Sequence, residues 1–240
     1  MLTSILFGIA ASSALVLGAV IGSAWNPPRF VTGALLAFAS GALISALAFE
    51  LFEEAYRLGG AARSGLALLA GAAVFIAADS ALDRRVTGER GPGQREVMAG
   101  APVGFALLVA VTLDGVPENV ALGVSLVDEA SLALLVAIFF SNLPEALVGA
   151  VAMREAGQRT QSILGMWIAC ALLLAVAVVA GRALAEPLSD EALAVALGFA
   201  GGAVLASIAD TLMPEAFERG GPLTAFATTA GFFLSFMLAV

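Results

Sequence analysis

Apolar residues occur along this chain in long runs, which are separated by short groups of glycine, proline and arginine. The runs cover 3–24, 31–52, 64–82, 98–126, 131–153, 162–185, 191–213 and 223–240. Each run is near the roughly 20 residues that an α-helix needs to cross the hydrocarbon core of a bilayer. The pattern therefore predicts an all-α, polytopic membrane protein with eight transmembrane helices and one long polar connection at 83–97.

The composition supports a membrane protein. Of the 240 residues, 60% are hydrophobic and 12% are charged, whereas soluble domains contain about 25% charged residues. The connections are short, so residues 1–240 are predicted to form a single transmembrane transporter domain embedded in the lipid bilayer. The first run is long and follows no basic residues, which favours a first transmembrane helix over a cleaved signal peptide. The net charge of −8 gives no indication of a nucleic-acid partner.

The arginines predict how the chain is oriented. With eight crossings the connections alternate between the two faces, and eight of the eleven basic residues fall in the first, third, fifth and seventh connections. Basic residues accumulate on the cytoplasmic side of membrane proteins. We therefore expect a multi-pass protein of the cell membrane with both termini outside and the 83–97 connection in the cytoplasm.

Two of the predicted helices have similar sequences. GALISALAFELFEEAYRLGG at 41–60 aligns without a gap with GAVLASIADTLMPEAFERGG at 202–221, and the two share a glutamate and a closing pair of glycines. The second and seventh helices are five crossings apart, so they should run in opposite directions. The sequence thus predicts a 3+2+3 arrangement, in which helices 1–3 and 6–8 form an inverted repeat, an architecture typical of alternating-access transporters.

The central pair of predicted helices contains carboxylates next to prolines, in TLDGVPENVALGV at 112–124 and FFSNLPEALVGAV at 139–151. An antiparallel pair that turns near residue 129 places Asp114 opposite Glu145, and Glu118 opposite Ser141. Each ionised acid at this depth costs about 2.5–3.5 kcal/mol. Such a cost is tolerable if the acids surround a cation, face a water-filled pathway or are protonated. A structural cluster of neutral acids is the alternative reading.

The prolines add oxygen ligands to the same layer. Pro117 and Pro144 have no N–H, so the carbonyls of Leu113 and Phe140 lose their usual helical partners and the helices are expected to kink. Free carbonyls and carboxylates together form an oxygen-rich site for a cation. The predicted metal ligands are Asp114, Glu118, Ser141, Asn142 and Glu145, and the acids Glu50 and Asp210 are predicted to lie along the pathway or to act as gates.

In these features the chain resembles the ZIP (Zrt/Irt-like) family of divalent-metal transporters. The fourth-helix motif of the family, His-Asn/Ser-x-Pro-Glu-Gly, corresponds to DGVPEN at 114–119, and the fifth-helix motif, His/Gln-Glu/Asp-x-Pro-His/Glu, corresponds to SNLPE at 141–145. DTLMPEA at 210–216 is similar to the acidic motif of the family's seventh helix. The resemblance implies eight helices, outside termini and metal ligands at Glu118 and Glu145.

The chain departs from the family at the motif histidines, which are replaced by Asp114 and Ser141. There is no histidine and only one cysteine, Cys170, so the ligand set is all oxygen and harder than one that prefers zinc. The resemblance implies Zn²⁺ as the transported ion, and Mn²⁺, Fe²⁺ and Mg²⁺ remain open, as does a non-transporting relative. No His-Glu-x-x-His or other catalytic motif indicates an enzyme. The oligomeric state is also open, a homodimer included.

Overall fold

The computed structural model describes residues 1–87, 103–127 and 130–239, with side chains for 1–81, 111–127 and 130–239. Every regular element in these residues is helical, which confirms the predicted all-α class. The α-helices are α1 (Leu2–Ala24), α2 (Arg29–Ala46), α3 (Glu53–Thr87), α4 (Val103–Ser125), α5 (Leu132–Glu155), α6 (Thr160–Ala185), α7 (Asp190–Ser207), α8 (Met213–Gly220) and α9 (Leu223–Ala239). There are also two π-helical segments in these residues, π1 (Leu47–Phe52) and π2 (Ile208–Leu212).

The distribution of side chains is that of a membrane protein. Large apolar residues such as Leu66, Leu172 and Phe226 are exposed on the outside of the bundle, while serines and acids are buried inside. Five helical stretches within the described residues are long and apolar enough to cross a membrane, namely Leu2–Ala24, Arg29–Ala81, Leu132–Glu155, Thr160–Ala185 and Asp190–Gly220. Many large apolar side chains on the outer surface, together with polar ones inside, are favourable where lipid replaces water.

The structure differs in part from the prediction of a polar connection at 83–97. Its first residues continue α3 to Thr87, and its remaining residues lie outside the described part of the chain. The predicted second and third runs are also joined more closely than expected, because helix continues on both sides of Gly60. Gly60 itself is non-helical, with φ 70° and ψ 170°, and it separates the two parts of this stretch.

Helices in this bundle pack in pairs through glycines. A Cβ added to Gly41 of α2 would overlap the Thr228 carbonyl of α9, and one added to Gly202 of α7 would overlap the Leu68 carbonyl of α3. Glycine removes the side chain that would keep two backbones apart, which is how membrane helices approach closely. Similar contacts join α1 to α5 at Gly18 and Gly22, and α4 to α6 at Gly123 and Gly181.

The two similar sequences, 41–60 and 202–221, also have similar backbones. Each contains a π-helical segment at the same aligned position, π1 from Leu47 and π2 from Ile208. Each ends at a glycine with positive φ, Gly60 and Gly221. Their packing corresponds as well, because α2 contacts α9 while α7 contacts α3. The shared sequence therefore specifies a shared local conformation.

Candidate functional site

The core of the candidate site is a contact between α4 and α5. Ser141 Oγ lies 3.4 and 3.2 Å from Glu118 Oε1 and Oε2, and 3.3 Å from Glu145 Oε1. Ser141 and Glu118 are buried, with 0% and 1% of their surface exposed, and Glu145 is partly exposed. The antiparallel register predicted Glu118 opposite Ser141, and the structure brings these two side chains together.

Asp114 extends this polar layer toward α7. Its side chain is buried, and Ser207 Oγ donates a hydrogen bond of 3.1 Å to Asp114 Oδ1. Asp114 and Glu118 occupy one face of α4 because they are four residues apart. Glu118 in turn shares the Ser141 hydroxyl with Glu145. The three predicted acids therefore belong to one electrostatic group.

Asn142 connects the layer to α1 and leaves one oxygen without a partner. Its Nδ2 donates a hydrogen bond of 3.2 Å to the Ala11 carbonyl, and the side chain is completely buried. With the nitrogen directed at that carbonyl, the other amide atom is the oxygen, and Oδ1 has no hydrogen-bond partner among the described residues. A buried carbonyl oxygen of this kind requires a donor or a cation.

Sequence reasoning missed two members of this region. Asn119 is fully buried, donates to the Gly115 carbonyl at 2.8 Å, and has an Oδ1 for which no partner is found in the described residues. Ser207, the hydrogen-bond donor to Asp114, lies on a helix whose sequence is otherwise apolar and small. Asn119 could have been found, since an asparagine next to the Pro-Glu pair is unusual at membrane depth. Ser207 gave no signal, because a single serine is common in membrane helices.

The layer contains many more hydrogen-bond acceptors than donors. Three carboxylate oxygens surround the hydroxyl of Ser141, which has one hydrogen and can satisfy only one of them. The second hydroxyl, that of Ser207, is used by Asp114. The unpartnered Oδ1 of Asn142 adds a further acceptor. Protons, water or a bound cation must therefore balance the charge and the lone pairs of these oxygens.

The predicted gate residues lie in the two π-helical segments. Glu50 in π1 lines a cavity of about 410 Å³ together with Glu53, Glu54 and Ser125. Glu54 forms an ion pair with Arg57, which also lines this cavity. Asp210 in π2 lies three residues after Ser207, the donor to Asp114. Glu50 is thus part of an acidic opening, and Asp210 is near the polar layer in sequence.

The opposite end of the bundle has a smaller cavity and several polar contacts between neighbouring segments. This end is opposite because α2 begins at Arg29 here and runs to π1 at the cavity. Asn26 donates to Glu155 at 3.1 Å, Arg154 donates to the Ser23 carbonyl at 3.4 Å, and Arg29 lies 3.6 Å from Glu218. The cavity at this end is about 120 Å³. The two ends therefore differ in the size of their cavities.

The side chains in the layer could hold an ion through oxygen alone. No group of three or more His, Cys, Asp or Glu side chains in the described residues is arranged as a complete metal site. The residues that could contribute ligands are the carboxylates of Glu118 and Glu145, with the hydroxyl of Ser141 and the amide oxygen of Asn142. Two carboxylates with neutral oxygens and water are sufficient for a hard divalent ion.

No family profile matches the sequence, and no curated protein is significantly similar to it. The class that the fold and the site define is therefore limited to an all-helical protein with membrane-spanning helices and a buried acidic layer.

Proposed function

We propose that this protein transports divalent metal cations across the membrane, with the substrate ion held between Glu118 and Glu145. The observation that carries this function is the single hydroxyl of Ser141 lying between two carboxylates, that of the buried Glu118 and that of the partly exposed Glu145. One hydroxyl hydrogen cannot balance two negative charges, whereas a divalent cation balances both. The substrate would be zinc by resemblance to the ZIP family.

The transporter reading rests on the two related halves as well as on the acids. We infer a 3+2+3 arrangement of eight crossings, in which the predicted helices 1–3 and 6–8 form an inverted repeat. Two features of the structure support it: the corresponding π-helical segments, and the packing of α2 on α9 and of α7 on α3. Such repeats place the substrate near the membrane midplane where they meet. In this arrangement both termini lie outside the cell.

The difference between the two ends of the bundle supports a pathway that opens on one side at a time. The cavity beside π1 is lined by Glu50, Glu53 and Glu54, which attract cations. At the other end the polar contacts of Asn26, Arg154 and Arg29 hold neighbouring helices together. Alternating access requires such an asymmetry in any one conformation.

The decisive experiment replaces both glutamates. E118Q/E145Q keeps the side-chain volume and removes the two charges, so divalent-metal binding by calorimetry and metal flux into proteoliposomes should both be lost. Stability in detergent should be equal to or higher than that of the parent, because repulsion between buried charges is removed. E186Q, which changes an exposed acid of the connection between α6 and α7, is the matched control and should retain full flux.

The alternative is a non-transporting relative in which the acidic layer only joins helices. In that case the parent protein would neither bind nor move divalent metals, and E118Q/E145Q would lower stability by removing hydrogen bonds. Metal flux at the parental level in the double variant would place the substrate site elsewhere.

A further inference from the structure

The ligands available around Glu118 and Glu145 are all oxygen atoms, and they are of two kinds. The carboxylates supply the charge, while the Ser141 hydroxyl between them and the unpartnered amide oxygen of the adjacent residue, Asn142, are neutral. From this set we propose that the site takes hard divalent cations of the Mn²⁺ and Mg²⁺ class and does not select for zinc. This inference rests on the proposed transport function and specifies its substrate.

The imidazole and thiolate ligands that zinc prefers are not among the groups that contact Glu118 and Glu145 through Ser141. The chain has no histidine, and its one thiol, Cys170, is buried on α6. Zinc sites in proteins are built mainly from thiolate and imidazole with tetrahedral geometry. Carboxylate, carbonyl and water ligands instead suit Mg²⁺, Ca²⁺ and Mn²⁺.

The orientation of Asn142 strengthens this reading. Its nitrogen is held by the Ala11 carbonyl, so the oxygen cannot exchange places with it without bringing two carbonyl oxygens together. The free oxygen is therefore fixed in advance, on the residue next to Ser141 and three residues before Glu145. A fixed amide oxygen adds a ligand for a hard ion without adding charge.

Charge and hydration agree with a hard ion. Two carboxylates neutralise a divalent cation, and Mg²⁺ is commonly bound by one or two carboxylates while it keeps several of its water molecules. Oxygen ligands also bind zinc, which forms stronger complexes than manganese with most ligands. The expected signature is therefore a small ratio between the apparent affinities for zinc and manganese, not an absence of zinc binding.

The test measures Mn²⁺ uptake into proteoliposomes with Zn²⁺ as competitor. In the parent protein, zinc should compete with an apparent affinity within about tenfold of that of manganese, because no soft ligand favours it. S141C places a thiol between the two glutamates with almost no change in volume, and should raise the preference for zinc by at least about tenfold. S141A, which removes the hydroxyl without adding a soft ligand, is the matched control and should shift the preference toward zinc much less than S141C does.

A second control examines the native thiol. C170S should leave the competition between zinc and manganese unchanged, since Cys170 is not part of the proposed ligand set. The inference is overturned if the parent prefers zinc by more than about a hundredfold, if S141C and S141A have the same preference, or if C170S weakens zinc competition. In each of these cases transport itself would stand, whereas a parent that neither binds nor moves any divalent ion would remove the proposed function and this inference together.

Discussion

The segments 41–60 and 202–221 have corresponding backbones in different surroundings. Both pass through a π-helical segment and end at a glycine of positive φ. Beside the first segment lies the acidic cavity of about 410 Å³. Beside the second, Glu215 forms an ion pair with Arg219, and Glu218 lies near Arg29. Shared small residues thus accompany a shared backbone, while the size of the cavity beside each segment differs.

The largest effect should come from the glycines that bring helices together in each half. G41A and G202A each place a methyl group on the backbone of a neighbouring helix, and each should destabilise the protein by about 1–3 kcal/mol or more. Thermal unfolding in detergent measures this loss. G165A is the control, because nothing lies near Gly165, and it should be neutral or slightly stabilising. Unequal losses for G41A and G202A would show that the halves are not packed alike.

The next largest loss of stability should follow substitution of the two glycines with positive φ. G60A and G221A force a side chain into φ values of 70° and 56°, which should cost about 1–3 kcal/mol each. There is open space around both glycines, so the cost is conformational rather than steric. Chemical or thermal unfolding of the two variants checks this. If either variant were as stable as the parent, the two segments would end by different means.

The acids that line the cavity beside π1 should have a smaller effect, which is on the initial rate of metal uptake. E50Q/E53Q removes two charges that attract cations, and should reduce the initial rate of metal uptake severalfold at low ionic strength, with the difference shrinking as salt is added. E218Q, at the opposite end of the bundle, is the matched comparison and should not change the initial rate. An equal reduction in both variants would contradict the assignment of the cavity as the open end.

The smallest effect should come from the ion pair at the opposite end of the bundle. The side chains of Arg29 and Glu218 are 72% and 77% exposed, so R29A should change the free energy of unfolding by less than about 1 kcal/mol. Thermal unfolding at low and high salt measures it. A larger loss that salt abolishes would mean that this contact holds the end closed.

The sequence predicts the helices well because their signal is the hydrophobic run itself. Run boundaries such as 3–24 and 162–185 lie within two residues of helix ends at Leu2–Ala24 and Thr160–Ala185. The continuation of helix through 53–59 was not predicted, because the polar residues there are compatible with either helix or a connection. The π-helical segments were also missed, since the insertion of one residue in a helical turn leaves no mark in hydrophobicity.

The candidate site was predictable where it depends on register along one helix pair. Glu118 and Ser141 are equally far along the chain from the turn between the two helices, so they were predicted to face each other, and they are hydrogen-bonded. Contacts with other helices were out of reach, because the pairing of Asp114 with Ser207 and of Asn142 with the Ala11 carbonyl depends on tertiary packing. Whether the acids bind metal remains a prediction.

The glycine contacts have a mechanical consequence for the bundle. They divide its helices into stiff pairs, α1 with α5 and α4 with α6 among them, since interlocked backbones resist sliding. Glu145 belongs to the first of these pairs and Glu118 to the second, and α4 contacts α5 less extensively than it contacts α6. A cation coordinated by both glutamates would therefore act as a joint between α4 and α5, across a sparse contact between two helix pairs that otherwise meet through α1 and α6.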